Sequence, residues 1–244
     1  MTSVPQARQV RASLRRAKAG GERFLGGVLP GATARRLQSK AFADEWAAAN
    51  MDARATTGPL WVVLGDATGQ GIGATTREAG YVGVVHETLR RRDAWRVVNL
   101  SRADVGVADV LARQLPELAE LTAGEPAALV TCVIGAQDIA HRGSGLDVAL
   151  RSMLAALPQG AVVATVPLRG PNADATNAII RESIVRNGLR LADLAAITRR
   201  GGLRLNDVGH AAWARVLVQA IDNPAPSSDP TPPQGIPQVA ALDG

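Results

Sequence analysis

The residues with the most chemical promise lie in one run, Gly65-Asp66-Ala67-Thr68-Gly69-Gln70-Gly71-Ile72-Gly73-Ala74, directly after the apolar stretch Leu60 to Leu64. A glycine-rich turn between a strand and a helix admits two readings from residue types alone. Gly69, Gly71 and Ala74 match the spacing G-x-G-x-x-G/A, with which backbone N–H groups at a helix start hold a pyrophosphate. Against it, the next strand ends at Asn99-Leu100-Ser101, with no acid placed to hold a ribose. The other reading is a tight turn that needs glycines only for its backbone. Elsewhere the chemistry is sparse. Three histidines (His86, His141, His210) and one cysteine (Cys132) are too little for a histidine cage, a thiolate zinc site or an internal disulfide. The only lysines are Lys18 and Lys40, so the body has neither a Schiff-base lysine nor a phosphate-cradling one. No cofactor or metal is expected.

The elements that must position this run are legible in the apolar pattern. Buried strands are predicted at 60–64, 96–100, 128–134 and 161–166, with a weaker fifth at 189–194. Helical patterns lie between them at about 78–92, 106–121, 145–157 and 173–187, and a last one at 207–221. Continuous apolar strands separated by helices imply a parallel sheet covered on both faces. Right-handed crossovers then give an α/β fold, a three-layer α/β/α sandwich with a five-stranded, flavodoxin-like sheet. Ligands of such sheets sit beyond the carboxyl ends of the strands, where the glycine-rich run emerges. His86 falls mid-helix and reads as packing, as does Cys132 inside the third strand. His210 reads as structural on the last helix, and Trp61, Trp95 and Trp213 as packing. Asp207 reads as an N-terminal capping acid of that helix, and His141 is placed to approach the cleft.

The 244-residue chain is 46% hydrophobic, ample for a core, and no apolar run approaches the ~18 residues of a membrane span. Its formal charge of +5 is unevenly spread: residues 1–40 hold nine Lys/Arg against one acid, whereas the other 204 hold eighteen Arg against twenty-one acids. Three parts follow: a basic helical extension over 1–57, the α/β domain over 58–222, and a proline-rich tail over 223–244 predicted to be disordered. In the extension, Ala7, Val10, Leu14 and Ala17 at helical spacing, ringed by arginines, suggest a short basic amphipathic helix, and a second helix is predicted over 32–49. The basic arm is either a solvated extension or a peripheral contact with an anionic membrane or other acidic partner. Nucleic acid is not expected, because the body is net acidic. A cytoplasmic location is expected, with the peripheral membrane contact as its variant.

Four blocks in register add a resemblance. Leu64-Gly65-Asp66-Ala67-Thr68, Val98-Asn99-Leu100-Ser101-Arg102, Ile134-Gly135-Ala136-Gln137-Asp138 and Asn206-Asp207-Val208-Gly209-His210 through Ala214 resemble, in order and spacing over 58–216, the conserved blocks of the SGNH (GDSL) hydrolases, specifically small esterases of the actinobacterial type. The resemblance implies a serine nucleophile, a histidine base oriented by an aspartate, and an oxyanion site built from a glycine N–H and an asparagine amide. Each of those positions has changed. Ala67 stands at the serine, Asp104 at the glycine and Gln137 at the asparagine. The expected Asp-x-x-His-Pro reads Gly201-Gly202-Leu203-Arg204-Leu205, and an arginine cannot accept a proton at neutral pH.

These departures predict an SGNH-fold protein without the Ser-His-Asp machinery, a catalytically inactive module binding a small acyl or glycosyl ligand or a protein partner. Its degenerate cleft would comprise Asp66, Ala67, Asp104, Gln137 and Arg204, with Asp104 and Arg204 paired across it and no catalytic residue assigned. The alternative is an esterase or acyltransferase with a rewired site acting on small acyl esters, drawing on Asp66, on the hydroxyls of Thr68 or Ser101, or on His141.

Overall fold

The computed structural model describes residues 31–141, 145–201 and 205–223, with backbone alone at 31–33, 140–141 and 198–201. The basic helix expected near residues 7–18, the proline-rich tail and Arg204 lie outside the described residues. The five strands are β1 (Leu60–Gly65), β2 (Arg96–Asn99), β3 (Leu129–Val133), β4 (Val162–Ala164) and β5 (Arg190–Ala192). All pair in parallel, in the order β2-β1-β3-β4-β5. This is the flavodoxin-like order expected from the sequence, and each strand lies within its predicted run to one or two residues.

The central strands explain their own composition. Every residue of β1 and of β3 is buried, because neighbours flank them in the sheet and helices cover both faces. One face is covered by α3 (107–121), α5 (Leu146–Ala156) and α6 (Pro171–Arg186), packed around Leu64, Cys132, Met153, Leu154 and Ile180. The other is covered by α2 (Tyr81–Arg90) and α8 (Asp207–Asp222), packed around Trp61, Tyr81, Trp213 and Leu217. Each such side chain taken fully out of water contributes roughly 1.5–3 kcal/mol. Helix α3 is continuous through Val107–Asp109, Val110–Gln114 and Leu115–Leu121, and its middle five residues are wound as π-helix. The Leu115 N–H reaches back to the Val110 carbonyl, and Pro116 next to it supplies no N–H to restore the tighter ladder.

Two short helices, α4 (Ala136–His141) and α7 (Leu194–Gly201), were not expected. At six and eight residues they are too short to show a full amphipathic period. The run predicted as the fifth strand over 189–194 therefore ends early, and Leu194 opens α7.

The helix predicted over 32–49 is α1 (Gly31–Ala55). It is packed onto the body along the β2 edge, with Trp46 in one core and Ala53 in the other. Amide side chains fasten it. Asn50 Nδ2 donates to the Asn99 carbonyl and the Asn99 N–H donates to Asn50 Oδ1, both at 2.8 Å. Gln38 Nε2 donates to the Ala74 carbonyl at 2.7 Å, and the Gly73 N–H donates back to Gln38 Oε1 at 3.0 Å. The 57/58 boundary thus falls between two elements packed on one body. Among the described residues no helix is long and apolar enough to cross a membrane.

Candidate functional site

The turn after β1 begins where only glycine fits. Gly65 has φ +144°, and a Cβ there would lie 2.2 Å from the Val133 carbonyl oxygen. Its backbone is clamped by the buried amide of Gln114 on the π-wound segment of α3. Gly65 N–H donates to Gln114 Oε1 at 2.8 Å, and Gln114 Nε2 donates to the Gly65 carbonyl at 2.9 Å. The start of the turn is therefore held from β3 and from α3 at once.

Asp66 points beneath the turn. It is 6% exposed, and its Oδ1 accepts from the Thr68 N–H at 2.9 Å and from the Thr68 hydroxyl at 2.7 Å. Burial pushes its carboxyl above the usual range; the Thr68 bonds oppose this, while the nearby Asp138 adds to it. Around it lies a buried polar cluster. Asn99 Nδ2 donates to the Gly69 carbonyl at 2.8 Å, and the Ser101 hydroxyl donates to Asn99 Oδ1 at 2.5 Å. The buried Tyr81 hydroxyl has no hydrogen-bond partner at bonding geometry among the described residues. Burial raises the Tyr81 pKa well above the ordinary phenol range.

The glycine run is not a phosphate cradle. Helix α2 starts at Tyr81, beyond the run, instead of opening from it. The N–H groups of Gly69, Gln70, Gly71, Ile72 and Ala74 all bond to carbonyls within the turn. Those of Gly73 and Thr75 go to Gln38 and Asp207. A Cβ on Gly69 would lie 2.6 Å from the Ser101 hydroxyl oxygen. The glycines serve close packing, and the N–H groups from Gly69 to Thr75 are all taken, which leaves no row of donors for a pyrophosphate.

Over Ala67 lies a pocket of about 400 Å³. It is lined by Ala67, Thr68, Ile72, Asp104 and Leu205, together with Arg35, Arg36 and Ser39 of α1. Asp104 is the one described non-glycine residue with a left-handed backbone, φ +56°. That conformation costs a residue carrying a Cβ roughly 1–2 kcal/mol, so the backbone shape suited to glycine persists at the position the resemblance assigns to one. The N–H groups of Ala67 and Asp104 have no acceptor among the described residues. Arg35 and Arg36 have no ion-pair partner there either.

Of the five residues nominated from the sequence, Ala67 and Asp104 meet at this pocket. Asp66 is buried behind it, and Gln137 is half-buried and engaged in the first turn of α4, outside the lining. Arg204, and so its expected pairing with Asp104, lies outside the described residues. Arg35, Arg36 and Ser39 were missed. The signal was present: Phe42, Trp46, Ala49 and Ala53 fall on one side of a helix, so α1 had to pack, and its first turns had to overhang something.

The remaining candidates are structural. His210 is fully buried; its Nδ1 accepts from the Tyr81 N–H at 3.1 Å, which leaves Nε2 to donate to the Ile72 carbonyl at 3.2 Å. Burial lowers its pKa, against the Ile72 bond and Asp207. His86 bonds through Nε2 to the Trp95 carbonyl, away from this pocket, and burial lowers its pKa also. Cys132 lies in β3 against Met153, its thiol pushed up to about 12 by burial and by Asp66. Asp207 departs from its expected role. The α8 cap is Asn206, whose side chain accepts from the Gly209 N–H, while the Asp207 carboxylate bonds the N–H and hydroxyl of Thr75. His141 is on α4 and its side chain is not described. Among the described residues no cluster of His, Cys, Asp or Glu could hold a metal.

Comparison with known proteins gives the fold. No protein-family model matches the sequence, and no curated protein does. Solved structures do match. An α/β hydrolase named LAE5, from the metagenome of Lake Arreo, Spain, is 20% identical with a TM-score of 0.55, over 68% of this chain and 96% of its own. TesA is 21% identical with a TM-score of 0.57, over 67% and 98%. A catalytic mutant of Axe2, an acetylxylan esterase from Geobacillus stearothermophilus, is 18% identical with a TM-score of 0.55, over 69% and 96%. The chain has the fold of the SGNH-type hydrolases, as its four blocks led us to expect.

Proposed function

We propose that this SGNH-fold protein is a non-catalytic binding module that keeps the cleft of an esterase without its reaction. The observation that carries the reading is Ala67, a methyl group at the wall of the pocket where a nucleophile would have to stand. His210 supports it, since both of its ring nitrogens are bonded in the core and neither is available as a base. The bound species would be a small acyl or glycosyl compound, or a partner presenting one.

A second reading, a rewired esterase or acyltransferase, is favoured by one contact. Thr68 is a lining residue of the pocket, and its hydroxyl donates at 2.7 Å to a carboxylate whose burial makes it more basic than usual. An Asp66–Thr68 pair would supply a hydroxyl and a proton acceptor beside the N–H groups of Ala67 and Asp104. The same contacts, however, are those of an ordinary turn-forming Asp.

Hydrolysis of p-nitrophenyl acetate and butyrate by purified protein separates the two. The binding reading expects no turnover, and none from Ala67→Ser alone, because a serine there finds no base. Turnover that disappears in both Thr68→Val and Asp66→Asn establishes the rewired enzyme instead.

A further inference from the structure

The charge of the pocket over Ala67 does not come from the β-α-β body. Arg35 and Arg36 line the pocket from α1, and neither is paired with an acid among the described residues. The helix that carries them is fastened by Gln38, Trp46 and Asn50, so their attachment to the pocket is fixed although the side chains themselves are exposed. Gln38 and Trp46 bond directly to the turn that forms the pocket floor. The interior is mostly apolar, from Ala67, Ile72, Ala103 and Leu205. One carboxylate, Asp104, stands on the wall and is likewise unpaired among the described residues. Two positive groups against one negative leave the described lining with a single net positive charge. A volume of about 400 Å³ is at the small end of ligand pockets.

We propose that this pocket binds a small organic monocarboxylate, with its apolar chain against Ala67, Ile72 and Leu205 and its carboxylate held by Arg35 and Arg36. Guanidinium matches carboxylate in planar, two-point geometry. The unpartnered N–H groups of Ala67 and Asp104 offer further donors at the pocket. A doubly charged phosphate ester fits less well, because Asp104 repels the second charge. The proposal rests on the binding reading for the location of the ligand, and its chemistry is carried by α1, outside the segment that resembles the hydrolases.

Calorimetric titration of the full chain with the acids from acetate to octanoate, with hexanamide and hexyl phosphate as controls, tests it. Hexanoate is expected to bind saturably, with hexanamide at least roughly tenfold weaker and a similar loss in the double variant Arg35→Ala/Arg36→Ala. Circular dichroism melts check that the variant stays folded, and Ala67→Leu, which fills the floor without touching charge, is expected to weaken binding as well. Binding of the amide or the phosphate ester as tightly as the acid, an unchanged affinity in the folded double variant, or no binding by any acid overturns the proposal. Ester turnover by the same preparation overturns the binding reading alone, since a carboxylate held by the two arginines would then be a product.

Discussion

The two faces of the sheet are filled with different kinds of side chain. On the face under α3, α5 and α6 the core is aliphatic, built from Leu, Val, Ile, Ala, Met153 and Cys132. On the other face lie all four tryptophans and Tyr81, with His210 at 6.1 and 6.3 Å from the Tyr81 and Trp213 rings. Aliphatic packing is non-directional and tolerates exchange at constant volume. The aromatic face is addressed atom by atom: Trp61 Nε1 donates to the Thr131 hydroxyl at 3.0 Å, Trp46 Nε1 to the Gln70 carbonyl at 3.1 Å, and His210 bridges Tyr81 and Ile72. Two of these three anchors end on the glycine-rich turn. Two of the three directional bonds of this face therefore go into holding the turn beside Ala67 in one shape. That is what a binding site needs, since each loosened turn costs affinity through lost preorganisation.

The contrast can be broken at its strongest point first. Trp61→Ala removes a fully buried ring and its bond to Thr131, and is expected to cost about 3–5 kcal/mol, read from the urea midpoint. His210→Leu keeps the volume but strands the Tyr81 N–H and the Ile72 carbonyl. A cost of about 1–3 kcal/mol is expected in the same measurement, with weaker carboxylate binding because Ile72 lines the pocket. His210 also makes this face acid-sensitive. Its folded pKa lies below the unfolded value of 6.5, so its contribution is complete above that pH and is lost as pH falls toward the folded value. His86 shifts in the same direction. Urea midpoints measured downward from neutrality should therefore decline below pH 6.5, less steeply in His210→Leu; a decline of equal slope in both proteins assigns the effect to other groups. The smallest effect is expected on the aliphatic face, where Met153→Leu should cost under about 1.5 kcal/mol and leave binding unchanged. A loss there matching that of His210→Leu would erase the distinction between the faces.

Much of this architecture was legible because parallel strands buried on both faces must be apolar throughout, and Leu60 to Leu64 and Ala128 to Ile134 are. The turn was legible from its glycines, though not their purpose: whether an N–H is free for a ligand depends on partners such as Gln38 and Asp207, which lie 35 and 132 residues away from the groups they bond. Helix α1 was legible as a helix, but its docking was hidden by its charge. Nine basic residues in the first forty suggest a solvated arm, and they drew attention from the stripe of Phe42, Trp46, Ala49 and Ala53 that docks it. Asp207 was placed one position too far along, since Asn and Asp side by side are equally good caps and only the geometry decides between them.

The bond pair between Asn50 and Asn99 has a consequence for the molecule in company. Strand β2 is the first of the five in the order, and its outward amide and carbonyl at Asn99 are what an incoming strand from another chain would seize. A side-chain carboxamide already occupies both, so a foreign strand gains no hydrogen bonds at that position. Recruitment of this sheet into intermolecular ladders is thereby discouraged at this point of the β2 edge, along which α1 packs.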